Sequence, residues 1–94
     1  MNTMKELERQ LKALANRRRL SILKYLKRQG EASVGEISAE IGLSFKSTSR
    51  HLSVLLAADI LERTQSSLQM FYSLSGSPSS LLKHVLSNYL IRTN

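Results

Sequence analysis

No cysteine occurs among the 94 residues, which excludes disulfides, thiolate zinc sites, iron–sulfur clusters and cysteine nucleophiles. Proline occurs once, at Pro78, and glycine four times, so the breaks these residues impose are few. No apolar run approaches the ~18–20 residues of a membrane span. The N-terminus interleaves charges with leucines and lacks the apolar centre of a signal peptide. The expected setting is therefore cytoplasmic, with no membrane partner. Catalytic patterns are missing as well: there is no Gly-rich phosphate loop, carboxylate pair or Ser/His/Asp set. Two S-x-x-K strings (Ser21 to Lys24, Ser80 to Lys83) lack the further motifs and scaffold that acyl transfer needs. A chain this short buries a little over ~60% of its unfolded surface and leaves little room for a deep cleft. The expectation is not an enzyme, with no cofactor and no metal.

Acid is scarce, and its distribution matters. Fourteen Lys/Arg face seven Asp/Glu, for a formal charge of +7. Residues 1–30 hold nine of the cations and two acids, whereas residues 31–94 hold five of each sign. The whole net charge thus lies in the first third.

Periodicity predicts five helices and a hairpin. Leu7, Leu11, Leu14 and Ala15 share one face of a helix over about 4–15, and Thr3 with Glu6 forms a capping box at its start. Asn16 caps a second helix carrying Leu20, Ile22, Leu23 and Leu26 to Gly30. After the short connection Glu31-Ala32, Ser33 and Glu36 open a third helix around Val34, Ile37 and Ile41, which Gly42 stops. Ser44 caps a fourth over about 45–58, with Thr48, Leu52, Leu55 and Leu56 facing inward. Beyond Asp59 the period becomes two: Leu61, Arg63, Gln65 and Leu68, Met70, Tyr72, Leu74 flank a Ser66-Ser67 tip, as in a β-hairpin. Ser77 and Pro78 are expected to start a last helix over about 78–92. The predicted class is mainly α with a small β-hairpin (α+β), a winged helix-turn-helix in the order α1-α2-α3-α4-β-hairpin-α5. It forms one domain over residues 1–94.

Two short helices joined by a tight Gly-containing turn, residues 34–58, carry the functional signal. In such a unit the second helix enters the DNA major groove and the first crosses the backbone. Ser38 is small enough to permit the close crossing. Subtracting the buried face of the second helix leaves Lys46, Ser49, Arg50 and Ser53 as an outward stripe, with Phe45 and Ser47 at its start. Short hydroxyls allow close approach, and one Lys and one Arg reach guanine edges or phosphates. No acid lies between Glu40 and Asp59 to repel phosphate. The hairpin is a wing whose Arg63 and Gln65 are placed to reach the minor groove; a hairpin that only covers the core is the alternative. His51 is read as a packing histidine ahead of a DNA contact.

Leu11 to Leu74, about two-thirds of the chain, resembles ArsR/SmtB-type winged helix transcriptional regulators. The matching stretches are LKALANRRRLSILKYL (11–26), EISAEIGLS (36–44), STSRHLSVLLAADIL (47–61) and FYSLS (71–75). The R-H-L-x-x-L of residues 50–55 is the most specific. The resemblance implies a homodimeric repressor binding double-stranded DNA, with its fourth helix on an imperfect palindrome and its first and last helices dimerising. The family's metal chemistry does not carry over. Ser33 and Gly35 stand at the Cys-x-Cys positions of many members, and the last helix offers His84 with no carboxylate in residues 76–94. One imidazole cannot complete a four-coordinate site. Phe45, Lys46 and Arg17 also depart from the common family residues, and Phe45 is open to either a thymine methyl contact or a packing role.

The last helix is richer in apolar residues than one edge of a small domain needs. Leu81, Leu82, Val85, Leu86, Tyr89 and Leu90, with Leu7 and Leu11 of the first helix, are the expected two-fold interface. Monomeric core packing is the alternative. A different functional class, a winged helix used as a protein-interaction module, predicts no salt-sensitive affinity for duplex DNA. A third reading makes the basic first two helices a membrane-surface element.

Overall fold

Local capping chemistry starts the helices of the computed structural model, which describes residues 3–90. In α1 (Met4–Leu14) the Thr3 hydroxyl accepts the Glu6 N–H at 3.1 Å and the Glu6 carboxylate accepts the Thr3 N–H at 3.3 Å. These two bonds satisfy donors that the first turn leaves orphaned. Asn16 caps α2 (Arg17–Gln29) by accepting the Arg19 N–H at 3.1 Å. Ser33 and Glu36 form the second reciprocal box, at the start of α3 (Val34–Ile41). Gly42 then takes the left-handed conformation (φ +69°), and both its N–H and that of Leu43 donate to the Ser38 carbonyl. Ser44 caps α4 (Phe45–Ala57) through the Ser47 N–H at 3.1 Å. Two residues therefore lie between the stop of one helix and the start of the next, apart from the αL glycine itself.

The sheet departs from the expected isolated hairpin. Glu31–Ser33 is a strand, β1, that pairs antiparallel with β3 (Gln69–Leu74), which in turn pairs antiparallel with β2 (Leu61–Ser66). Strand β1 is three residues long and buries only Ala32, too little for a period to be visible. The hairpin turn is Ser67–Leu68, one residue beyond the expected Ser66-Ser67 tip. Leu61 pairs with Leu74 at the base, where Ser75 also donates to the Ile60 carbonyl at 3.0 Å. That anchored base sets the register and leaves Ser67, with φ +56°, to make the left-handed turn residue.

The last helix, α5, spans Ser80–Asn88, shorter than the expected 78–92. Its cap is Ser79, not Ser77: the Ser79 hydroxyl accepts the Leu82 N–H at 3.1 Å and donates to Gln10 Oε1 at 2.7 Å. A tertiary bond to α1 thus selects the cap, and Pro78 precedes it. Residues 91–92 of the expected helix lie outside the described residues.

Every element contributes to one hydrophobic cluster. Ile22, Leu23 and Leu26 of α2 sit at its centre with Ile37 of α3, Leu52 and Leu55 of α4, and Leu82 of α5, all essentially inaccessible to solvent. Helix α2 touches every other element except β2. It is the pillar on which the α3–α4 unit is mounted. No helix among the described residues is long and apolar enough to cross a membrane.

Candidate nucleic-acid interface

Burying Thr48, Leu52 and Leu55 fixes the rotation of α4 about its axis. The opposite face then follows from 3.6-residue periodicity. Lys46, Arg50 and Ser53 are exposed, and Ser47 and Ser49 are half-buried beside them. Phe45 is 65% exposed, so it takes no part in the core. Neither Lys46 nor Arg50 forms a hydrogen bond or ion pair with any described residue. The Ser53 hydroxyl donates back to the Ser49 carbonyl at 3.0 Å, which holds it flat against the helix. The first turn of α4 holds no acid, so the partial positive charge of its N-terminus is left uncancelled for an anion.

On the wing, Arg63 and Gln65 lie opposite Tyr72 and Met70, and both are exposed. Past Leu61 every residue of β2 is exposed, so the strand projects away from the core. Leu68, at the tip, is 98% exposed. The wing therefore combines one cation, Arg63, and two amides, Gln65 and Gln69, with an apolar tip.

Three arginines of the first third have a different role, which the sequence reading missed. Arg19 donates to the carbonyls of Ala13 at 2.6 Å and Lys12 at 3.1 Å, in the last turn of α1, and to His51 Nδ1 at 3.2 Å. Arg18 donates to the Ile41 carbonyl at the end of α3. Arg9 and Gln10 donate to the Ala57 and Ala58 carbonyls at the end of α4. Each group meets carbonyls that a helix C-terminus leaves unpaired, and the arginines oppose its negative dipole end. These contacts join residues up to 48 positions apart, and no local sequence signal announces them.

His51 is half-buried beneath the outward stripe. A guanidinium only donates, so Nδ1 accepts from Arg19 and the ring proton of the neutral imidazole sits on Nε2. Desolvation, and then the charges of Arg19, Arg18 and Arg50, push its pKa below the ordinary 6.5. The ring is thus held neutral next to Arg50.

The apolar residues expected at a two-fold interface divide into three sets. Leu82, Leu86 and Leu90 are buried within the chain's own core, because α5, which carries the first two and ends just before the third, packs on α2. A helical stripe does not show in sequence which core it fills. Leu81 and Val85 are partly buried. Leu7 (38%), Leu11 (48%) and Tyr89 (58%) remain exposed, as does Met4 at the start of α1. Leu7 and Leu11 alternate with Glu8 and Lys12, which form an exposed pair at 3.8 Å.

The family's metal positions do not fit a metal here. Ser33 is the cap of α3, Gly35 has no side chain, and the His84 ring meets Asn88 Nδ2 at 3.0 Å and the edge of Tyr89. Among the described residues no group of three or more His, Asp or Glu could hold a metal ion.

Comparison with known proteins agrees with this architecture. Residues 16–63 match the family described as bacterial regulatory protein, arsR family. The transcriptional activator HlyU of Vibrio cholerae is 34% identical over 84 residues, covering 89% of this chain and 77% of that protein. The structure of its reduced form superposes with a TM-score of 0.75, covering 88% of this chain and 83% of that one. A homodimeric winged helix-turn-helix DNA-binding domain from Mycobacterium bovis is 27% identical with a TM-score of 0.80, covering 94% of this chain and 78% of that chain. The transcriptional repressor BigR of Xylella fastidiosa is 28% identical with a TM-score of 0.77, covering 96% and 89% of the two chains. The chain belongs to the ArsR family of bacterial regulatory proteins and has a winged helix-turn-helix fold.

Proposed function

We propose that residues 1–94 form a single winged helix domain acting as a sequence-specific, duplex-DNA-binding transcriptional repressor. It works as a homodimer, with α4 of each protomer in the major groove of one half of an imperfect palindrome. The observation that carries this reading is the outward face of α4: Lys46 and Arg50 are exposed, without a hydrogen-bond or ion-pair partner among the described residues, and set among short hydroxyls on a helix without acids. A long donor with no internal partner keeps its full capacity for a base edge or phosphate. Phe45, Ser47, Ser49 and Ser53 complete the face, and Arg63 and Gln65 extend it along the wing. Selection of bound sequences from a random duplex pool, at two salt concentrations, tests the reading. It predicts an enriched, roughly palindromic motif with half-sites about 34 Å apart and affinity falling steeply with salt. No enriched motif would sink it.

Dimerisation in this proposal uses the exposed apolar face of α1 (Leu7, Leu11) and the outer face of α5 (Leu81, Val85, Tyr89). Leu82, Leu86 and Leu90 support that face from beneath. Sedimentation should show a dimer for the native chain and a monomer for Leu7→Glu/Leu11→Glu; a variant that stays dimeric would place the interface elsewhere. Repression is tested by transcription in vitro from a promoter carrying the enriched site, where added protein should lower the transcript; a rise would make it an activator, as HlyU is described. The exposed Phe45 and Leu68 favour a second reading, a protein-interaction module. It requires that function survive Arg50→Ala and that no duplex bind in a salt-sensitive way.

A further inference from the structure

The solvent face of α2 carries a row of cations. Arg17, Lys24 and Arg28 follow at spacings of seven and four along one helix face, a track of about 16 Å at 1.5 Å per residue. They line an open groove of about 550 Å³ between α2 and α3. Its single carboxylate is already engaged: Glu40 Oε2 lies 3.4 Å from Arg28 Nη2, and the same guanidinium lies 5.5 Å from the centre of the Tyr25 ring. Arg18 is engaged too, at the Ile41 carbonyl.

Arg17 and Lys24 are different. Neither side chain makes a hydrogen bond or ion pair with any described residue. Arg17 moreover occupies the first position of α2, in a turn without acids, where the helix dipole disfavours a cation. A charge placed where its own helix opposes it, with no partner among the described residues, points to an anion outside the fold.

We infer that this groove is a phosphate track for the DNA backbone flanking the half-site that α4 reads; the inference rests on the DNA-binding reading above. Its position favours the same duplex over a separate acidic partner. The groove begins where Arg18 meets Ile41, immediately before the Gly42–Ser44 turn that leads into α4. Helix α3, its other wall, packs on α2, α4, β1 and β3 and touches neither α1 nor α5. At its Arg17 end the groove thus runs up to the turn that presents α4, and at its other end Lys24 and Arg28 adjoin Leu90. With one phosphate per ~3.4 Å of axis on each strand, a 16 Å track passes several of them.

The test uses the enriched sequence in two duplexes, one trimmed to the selected base pairs and one extended by ten base pairs at each end. Wild type and Arg17→Ala/Lys24→Gln are titrated with both across a salt series. Extension should tighten wild-type binding more than tenfold at low salt. The variant should bind the trimmed duplex within twofold of wild type and gain nothing on extension. Its salt slope on the long duplex should be shallower by about 0.9 per lost phosphate, or roughly 3.6 for a dimer losing four. Equal gains for both proteins, or no gain for wild type, would overturn the inference while leaving groove reading by α4 standing. Wild type binding neither duplex would overturn both. Circular dichroism should show both proteins equally helical, since Arg17→Ala relieves an unfavourable dipole contact and Lys24→Gln keeps most of the stem.

Discussion

The cationic first third and the near-neutral remainder divide the work of this molecule in the opposite way to their charges. Residues 1–30 hold the whole net charge, yet Arg9, Arg18 and Arg19 spend donors on helix-terminal carbonyls of α4, α3 and α1. In α4 only two cations are present, and on the outward face neither bonds another described residue. A count of charges registers how many cations a segment holds, whereas the structure decides which carry an unused donor. Long-range attraction to a polyanion follows the first quantity, and readout follows the second.

The largest effect expected from this contrast is on stability. Arg19→Ala removes three contacts that tie α1, α2 and α4 together and should cost about 2–3 kcal/mol, seen as a lower urea midpoint at unchanged slope. Arg50→Ala should leave stability within about 0.5 kcal/mol of wild type. Equal stabilities for the two variants would break the comparison. On DNA the order reverses: Arg50→Ala should lose about 1–3 kcal/mol at one base pair of each half-site if it reads an edge. A smaller effect concerns Thr48 of α4, whose buried hydroxyl has no hydrogen-bond partner among the described residues. Thr48→Val should raise stability by at most about 1 kcal/mol, because it exchanges an unsatisfied polar atom for a methyl; a loss in thermal melting would show that the hydroxyl is bonded.

The smallest is a pH effect. The His51 pKa is lowered in the folded chain, so its unfolded form takes up a proton first as the solution is acidified. Its contribution to stability is present above the ordinary value near 6.5 and is lost as pH falls through the folded value. Following the imidazole by NMR should place its midpoint below that of a model histidine, and Arg19→Ala should move it back up. A midpoint at or above the ordinary value would remove the Arg19 contact from the account.

What was legible in the sequence was what local chemistry decides. The Thr3–Glu6 and Ser33–Glu36 boxes, the Asn16 and Ser44 caps and the Gly42 stop all form between residues three or four apart, so the α3-turn-α4 unit and the outward stripe could be read directly. What escaped was decided across the fold. Ser79 displaced Ser77 as a cap through its bond to Gln10, 69 residues away. Strand β1 exists only because β3 lies beside it. Leu82, Leu86 and Leu90 have the same pattern whether a helix covers its own core or a partner's. The roles of Arg9, Arg18 and Arg19 depend on carbonyls brought to them by other helices.

The central claim is that specificity resides in α4 and not in the cationic third. It is tested most directly by the base-pair preference profile of Arg50→Ala beside wild type, measured on every single-base variant of the enriched site. Discrimination should collapse at one symmetric pair of positions and persist at the others. A profile identical in shape to wild type, whether or not affinity falls, would contradict it.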